Sequence, residues 1–260
     1  MSKVKEILVK PIASKDANAF IKKHHYSGKV VNNSTLHFGC FLENRLHGVM
    51  QYGSPFMKTK VLPLVEPQNW NGMLELNRMA FDDYLPKYSE SRCIAISIKL
   101  IKKNAPQIKW ILSFADGTQC GDGTIYRASG FVLTSVKENS SIIKLSNGDI
   151  VASMTYTKGK NILSQGGRAG IPKDAEKLNG NMFRYIYLID KTCKITVPIL
   201  PFSKIDEMNA GMYKGQKRII KCAGSSKSEQ AISNSKVAEN YRPQRSIITK
   251  PKIKKLAKSQ

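Results

Sequence analysis

Most of the residues whose side chains could carry chemistry stand at the ends of the apolar segments of this chain. His25 and Tyr26 follow a short amphipathic segment, and Gly28 comes soon after them. An imidazole beside a phenol can exchange protons, contact an aromatic base or ligate a metal ion. A histidine also suits the C-terminal end of a helix, where it interacts favourably with the helix dipole. The spacing alone leaves both interpretations open.

Arg78 lies inside a strand-like segment, MLELNRMAF at residues 73–81, between Leu76 and Ala80. An arginine among apolar strand residues is partly buried and needs a partner. That partner is either a structural carboxylate, Glu75 or Asp116, or an anionic ligand. We favour the second alternative, in which Arg78 anchors a phosphate or a substrate.

Asp116 and Tyr126 belong to one stretch, residues 110–134, which has the pattern of a strand, a polar turn, a short helix, a glycine and a second strand. Asp116 follows the apolar run WILSFA, and ligands of open α/β sheets gather at strand ends. An Asp-Gly pair is equally common as a simple turn. For Tyr126, helical spacing alone favours packing in the core.

These residues must be positioned by an alternating series of strands and helices. The predicted order of the first half is β-α-hairpin-β-α-β-α-β, which indicates the α/β (α+β) class with a mixed sheet flanked by helices, followed by additional C-terminal strands. Residues 89–104 have the apolar spacing of a helix that joins two strands. Such a crossover predicts that the two strands are parallel.

Charge is the strongest compositional feature of this 260-residue chain, which carries a formal net charge of +23. Such an excess predicts a polyanionic partner, nucleic acid first and an anionic membrane surface second. From Lys214 onward thirteen basic residues face two glutamates. We therefore predict a domain at 1–215 and a basic, disordered tail at 216–260. No apolar run has the length of a transmembrane helix, so we expect a soluble, intracellular protein.

The segment GTIYRASGF at residues 123–131 resembles the late "YxxxGF" helix of the Gcn5-related N-acetyltransferases. In that superfamily a tyrosine at this place often acts as the general acid, which implies such a role for Tyr126. The superfamily's glycine-rich pyrophosphate loop is replaced here by YSESRC at residues 88–93. Ser91 and Arg92 at this helix N-terminus are our candidates for contacts to an anionic cofactor. The substitution puts ordinary acetyl-CoA binding in doubt.

Four motifs in order resemble the phage Mom family: HHYS at 24–27, ELNRMAF at 75–81, FADG at 114–117 with GTIY at 123–126, and VPILPFSK at 197–204. The resemblance implies a divergent acyltransferase-like fold and an enzyme that adds a carbamoylmethyl (acetamido) group to N6 of adenine in phage DNA, which protects the DNA from host restriction. It also implies catalytic roles for His25, Tyr26, Arg78, Asp116 and Tyr126. Iron has been proposed for the family, and His25, Tyr26 and Asp116 are ligand types that could hold it.

The resemblance further implies double-stranded DNA as partner, a flipped-out target adenine, and action in the host cell cytoplasm. Two alternatives stay open: a conventional N-acetyltransferase acting on a protein or small amine, and a non-enzymatic DNA-binding protein. The sequence does not fix the donor, the DNA context or the oligomeric state, for which a homodimer is one alternative.

Overall fold

A computed structural model describes residues 3–153, 171–213 and 216–217 of the chain. Eight strands form one sheet in the spatial order β1-β2-β3-β5-β6-β9-β7-β8. In chain order the strands are β1 (Leu8–Pro11), β2 (Ser34–Leu42), β3 (Arg45–Gly53), β4 (Val65–Glu66), β5 (Met73–Phe81), β6 (Trp110–Asp116), β7 (Val132–Lys144), β8 (Ile150–Ala152), β9 (Glu176–Leu188), β10 (Lys194–Ile195), β11 (Met212–Tyr213) and β12 (Gln216–Lys217). The pairs β4–β10 and β11–β12 lie outside the large sheet.

Helices cover both faces of the sheet, which confirms the predicted mixed architecture. They are α1 (Ser14–His24), α2 (Lys58–Val61), α3 (Ser89–Asn104), α4 (Thr124–Ala128) and α5 (Ser203–Glu207), with 3-10 turns at Lys3–Glu6, Leu62–Leu64 and Trp70–Gly72. Neighbouring residues of β3 point to opposite faces. Val49 packs in the cluster around α1, whereas Met50 packs in the larger cluster around α3. The central strands of the sheet are therefore buried on both faces.

The helix α3 is the crossover that the sequence predicted, and β5 and β6 on either side of it are parallel. Its residues Cys93, Ile94, Ile98 and Ile101 recur at helical spacing and are buried against the sheet. Each such aliphatic side chain contributes roughly 1.5–3 kcal/mol of burial free energy. Proline at position 106 follows the end of the helix, where it cannot continue the helical hydrogen bonds.

The parallel pairing of β5 with β6 stops early, and this creates the opening for a site. The two strands pair only from Met73 opposite Trp110 to Leu76 opposite Ser113. The register of β5 on β3 then shifts, which leaves Asn77 as an extra residue in β5. Such a β-bulge bends a strand and increases its local twist. β6 continues to pair with β9 up to Asp116, so β5 and β6 part beyond residue 76.

Three local sequence patterns can be compared with the structure. The pattern KVKEILV at residues 3–9 predicts one strand, but a 3-10 turn precedes β1, which pairs with β2 only from Leu8 onward. Ser14 and Asp16 are residue types that predict a cap for α1, yet the helix begins at Ser14 behind Ala13 and has no side-chain cap. The hairpin of β2 and β3 is confirmed.

The predicted domain boundary at residue 215 stays a prediction, because residues 218–260 lie outside the described part of the chain. The predicted tail lies outside the described residues, except for Gln216 and Lys217. Within the described part of the chain, no helix is long and apolar enough to span a bilayer.

Candidate active site

A cavity of about 590 Å³ occupies the gap between the parting ends of β5 and β6. We call it the β5–β6 cavity. Residues 24–26 at the end of α1 and residues 120–126 before and within α4 form further walls. All five residues proposed as catalytic line it: His25, Tyr26, Arg78, Asp116 and Tyr126. The fold thus brings together side chains that are about one hundred residues apart in sequence.

His25 is a neutral side chain in this cavity, and Ser27 holds it by hydrogen bonds. The backbone N–H of Ser27 donates to Nδ1 of His25 at 3.1 Å, and the Ser27 hydroxyl lies 2.8 Å from the same nitrogen. Because Nδ1 accepts, the ring proton is assigned to Nε2. Burial, together with the smaller effect of the nearby Arg78 charge, lowers the pKa of His25 to about 4. A neutral imidazole with its proton on Nε2 is a hydrogen-bond donor rather than a base.

Tyr26 packs on the His25 ring, with ring centroids 4.2 Å apart. Nearly half of the residue is exposed, at 48%, yet its hydroxyl lies in enclosed surroundings. Burial, followed by the Asp116 charge, raises the pKa of Tyr26 well above its ordinary value. Its phenol therefore stays protonated at neutral pH, while its exposed ring offers a flat surface at the rim of the cavity.

Arg78 carries a positive charge into the cavity without a carboxylate partner among the described residues. Its Nε donates to the Lys29 carbonyl at 3.3 Å, and its Nη1 donates to the Asn77 carbonyl at 2.8 Å. The structural alternative, an ion pair with Glu75 or Asp116, is therefore not formed within hydrogen-bonding distance. Backbone carbonyls orient the guanidinium but leave its charge available for an anion.

Glu75 is the cavity residue that sequence analysis did not assign to the site. Burial raises its pKa to about 7, although a hydrogen bond from Asn77 and the Arg78 charge act in the opposite direction. A carboxyl with such a pKa is partly ionised at neutral pH and can accept or release a proton there. The sequence signal was a lone glutamate between Leu74 and Leu76 in a strand.

Asp116 is buried and serves the turn after β6. Its Oδ1 accepts from the backbone N–H of Thr118 at 2.9 Å and from the Asn139 side chain at 3.2 Å. The turn interpretation of Asp116 is thus supported by these contacts, and the same carboxylate also lines the cavity. It can act both as a structural acceptor and as a negative charge facing the site.

Tyr126 lies at the floor of the cavity, packed against Phe131 and Tyr185 at centroid distances of 5.5 and 5.4 Å. Burial raises its pKa to about 12, with the Ser113 hydroxyl acting in the opposite direction. Its packing in the core agrees with the spacing argument. Its place in the cavity wall leaves a role as hydroxyl donor open.

The turn that leads into α4 depends on Gly123. Its φ is +83°, and a Cβ added there would lie 2.4 Å from the Tyr185 ring. The Tyr185 hydroxyl donates to the carbonyl of Asp122, and Asp122 also binds Arg127 and Thr124. Only glycine lets this wall approach β9 so closely.

Ser91 and Arg92, proposed as cofactor contacts, lie in the first turn of α3 and do not line the cavity. The Ser91 hydroxyl donates to the Tyr88 carbonyl at 3.3 Å, and Arg92 donates to the Lys5 carbonyl at 3.3 Å. The neighbouring Glu90 does line the cavity. A carboxylate at this helix N-terminus competes with the anion that an acetyl-CoA pyrophosphate would bring, so this end of α3 does not fit that cofactor.

A metal site was the other expectation. Within residues 3–153, 171–213 and 216–217 no group of three or more histidine, cysteine, aspartate or glutamate side chains is arranged to hold a metal ion. His25 uses Nδ1 for Ser27, and Asp116 uses Oδ1 for Thr118 and Asn139. The proposed iron ligands are therefore not arranged as a set in this geometry.

Comparison with known proteins places the chain in a family. The Mom protein family matches residues 6–204. The methylcarbamoylase Mom of Escherichia phage Mu is 34% identical over 196 residues, covering 73% of this chain and 78% of the phage Mu protein. The chain belongs to the Mom protein family. Every residue that lines the cavity through Met182 falls inside the matched range of this Mom chain.

Solved structures similar to the chain are acetyltransferases. One is a Bacillus subtilis acetyltransferase in complex with CoA, at 12% identity and a TM-score of 0.40, covering 70% of this chain and 97% of that one. Another is the spermidine/spermine N-acetyltransferase SpeG from Vibrio cholerae in complex with manganese ions, at 9% identity and a TM-score of 0.43, covering 74% and 97%. TM-scores this low do not establish a shared activity.

Proposed function

We propose that the chain is a DNA-modifying transferase that places a carbamoylmethyl group on N6 of adenine in DNA. The observation that carries this proposal is the family match over residues 6–204, which includes His25, Glu75, Arg78, Asp116 and Tyr126. The similar phage Mu protein is named a methylcarbamoylase. Modified adenine in phage DNA would resist host restriction enzymes, and the reaction would take place in the host cytoplasm.

The size and lining of the β5–β6 cavity suit a flipped base. Its volume of about 590 Å³ falls within the range of roughly 300–1,000 Å³ for small-molecule sites. N6 of a stacked adenine is out of reach for an enclosed site, so the base must leave the duplex at a cost of a few kcal/mol. The exposed ring of Tyr26 at the rim offers a stacking surface for it. Tyr52, in contrast, is fully buried and cannot stack a base.

Proton transfer is assigned to Glu75. The N6 lone pair is delocalised into the purine ring, so N6 gains nucleophilic strength only as it loses a proton. In the proposed step an N6–C bond forms to the methylene carbon of an electrophilic carbamoylmethyl donor, whose leaving group departs with its bonding electron pair. The N6 proton passes to the Glu75 carboxylate, whose pKa of about 7 suits a base at neutral pH.

The other cavity residues bind and orient the base and the donor. Neutral His25 donates from Nε2 to a ring nitrogen of the base, and Arg78 holds a negatively charged group of the donor or the DNA backbone. Tyr126, protonated because its pKa is about 12, donates from the floor of the cavity. Asp116 keeps the β6 turn closed through Thr118.

The donor is not assigned to acetyl-CoA. Attack of N6 on a thioester carbonyl would give an N-acyl product, whereas the proposed product carries a methylene between N6 and the amide. Glu90 beside the α3 N-terminus also disfavours a pyrophosphate.

DNA binding is assigned to the basic surface of the chain. A net charge of +23 favours phosphate contacts and the release of counterions. The basic tail at 216–260 is proposed as an arm that adds phosphate contacts outside the family match. The duplex would be held by charge, and the cavity would select the base.

The test is production of the chain in bacteria that carry a plasmid, followed by digestion of the plasmid and mass spectrometry of its nucleosides. Carbamoylmethyl-deoxyadenosine supports the proposal. N6-acetyl-deoxyadenosine would instead indicate a conventional acetyltransferase. Unaltered deoxyadenosine with folded, DNA-bound protein would indicate a non-enzymatic DNA-binding protein.

A further inference from the structure

A short turn that follows β3, the neighbour of β5 in the sheet, exposes two large apolar side chains. Phe56 is 78% exposed and Met57 is 51% exposed. We call residues 54–57 the Phe56 turn. Two adjacent exposed apolar side chains are an unfavourable arrangement for a surface that faces only water, and such residues mark contact sites.

The turn is held rigidly at both ends. Pro55 is buried at its base, and α2 beyond it packs Val61 into the cluster that contains Leu64 and Trp110. Gly53 at its start fits so tightly that an added Cβ would lie 1.9 Å from the carbonyl oxygen of Asn33. The position of Phe56 is therefore fixed by packing on either side.

The same contacts bring the turn to the cavity. Gly53 lies opposite Glu75 of the cavity wall in the β3–β5 ladder. The backbone N–H of Ser54 donates to the Asn33 carbonyl at 3.3 Å, and the Asn33 side chain donates back to the Ser54 carbonyl. Phe56 is three residues beyond Gly53, a reach of at most about 11 Å for an extended chain.

Positive charge surrounds the turn. Lys58 and Lys60 are exposed directly behind it, and the Lys58 ammonium lies 5.4 Å from the centre of the Trp70 ring. Lys29, whose carbonyl accepts from Arg78, is exposed on the neighbouring loop. Apolar side chains between phosphate-binding lysines match the surface of a duplex, where proteins insert phenylalanine or methionine between base steps.

We propose that the Phe56 turn is a wedge that enters the base stack of duplex DNA beside the target adenine. Phe56 fills the space that the flipped base leaves, while Lys58 and Lys60 contact the flanking phosphates. This inference rests on the proposed function, because a wedge is needed only if the base leaves the stack. The wedge would be the element that opens the duplex, a task that the cavity residues do not perform.

The test compares Phe56→Ala, Phe56→Leu and a control, Leu8→Ala, on plasmid DNA. Leu8 is also exposed, at 55%, but lies on the edge strand β1. Thymines left unpaired opposite a flipped adenine react with permanganate, so flipping can be measured without knowing the sequence context or the donor. Adenine modification is measured by nucleoside mass spectrometry, and the oligomeric state by sedimentation.

Phe56→Ala should lower both permanganate reactivity and adenine modification at least about tenfold, with DNA affinity within about twofold because the phosphate contacts remain. Phe56→Leu should retain most of the activity, and Leu8→Ala should match the parent chain.

Equal modification by the parent chain and Phe56→Ala would overturn the wedge and leave the proposed function standing. Dissociation of an oligomer by Phe56→Ala would show that the turn covers a second copy, which also overturns it. A parent chain that leaves adenine unmodified would remove the proposed function and the wedge with it.

Discussion

Replacing Glu75 by glutamine should abolish catalysis and at the same time stabilise the protein at neutral and basic pH. Burial raises the pKa of Glu75 to about 7 from an ordinary value of 4.5. Since one pKa unit corresponds to 1.36 kcal/mol, ionised Glu75 costs the folded state about 3 kcal/mol. Glutamine has nearly the same shape and no charge, so it avoids this cost.

The sign of the pH dependence follows from proton binding. A carboxyl whose pKa is higher in the folded state binds its proton more tightly there than in the unfolded chain. The contribution of Glu75 to stability is therefore fully present below pH 4.5 and is lost as the pH rises through about 7. Above that pH the free energy of unfolding no longer changes through this group. The free energy of unfolding of Glu75→Gln relative to the parent chain should rise by about 1–3 kcal/mol between pH 5 and pH 8.

Urea unfolding of both chains at pH 5 and pH 8, with plasmid modification measured in parallel, provides the assay. The parent chain should also gain activity as the pH rises through about 7, because the base must be ionised. A difference in unfolding free energy that is the same at both pH values would refute the burial argument. Retained modification by Glu75→Gln would refute the assignment of Glu75 as base.

The remaining predictions concern the other parts of the site. Arg78→Ala removes the charge that holds the anionic group, and Asp116→Asn removes the negative charge that faces the cavity while its Oδ1 can still accept from Thr118. Each should abolish modification with folding preserved, as judged by circular dichroism; full activity in both would refute their roles in the site. Gly123→Ala should cost about 2 kcal/mol or more in urea unfolding, because its φ is +83° and its Cβ would meet the Tyr185 ring, and an unchanged midpoint would contradict this. Deleting residues 219–260 should weaken DNA binding and flatten its dependence on salt; an unchanged slope would exclude the tail as a phosphate-contacting arm.

The sequence predicted the elements whose signals are local. The hairpin of β2 and β3 and the helix α3 follow from alternating and helical apolar spacing. The long strand β7 was not predicted as one element, because polar residues interrupt its pattern and a register shift lies between Asn139 and Ile142. Pairing with β9 along the whole length overrides these local preferences.

The gathering of His25, Tyr26 and Asp116 could be predicted, because they stand at the ends of a helix and a strand that meet at one side of the sheet. Arg78 lies within β5 and joins them because β5 parts from β6 beyond residue 76. Glu75 could not be assigned, since its role depends on two features without a sequence signal. One is the bulge at Asn77 that parts β5 from β6. The other is the orientation of Arg78 towards the carbonyls of Lys29 and Asn77, which leaves the Glu75 carboxyl buried without an ion pair.

The nucleoside content of plasmid DNA from cells that produce the parent chain, compared with cells that produce Glu75→Gln at equal level, tests the central claim most directly. The account predicts carbamoylmethyl-deoxyadenosine, with the substituent on N6 in the fragment spectrum, from the parent chain alone. Unaltered deoxyadenosine from the parent chain, or equal modification by both chains, would contradict it.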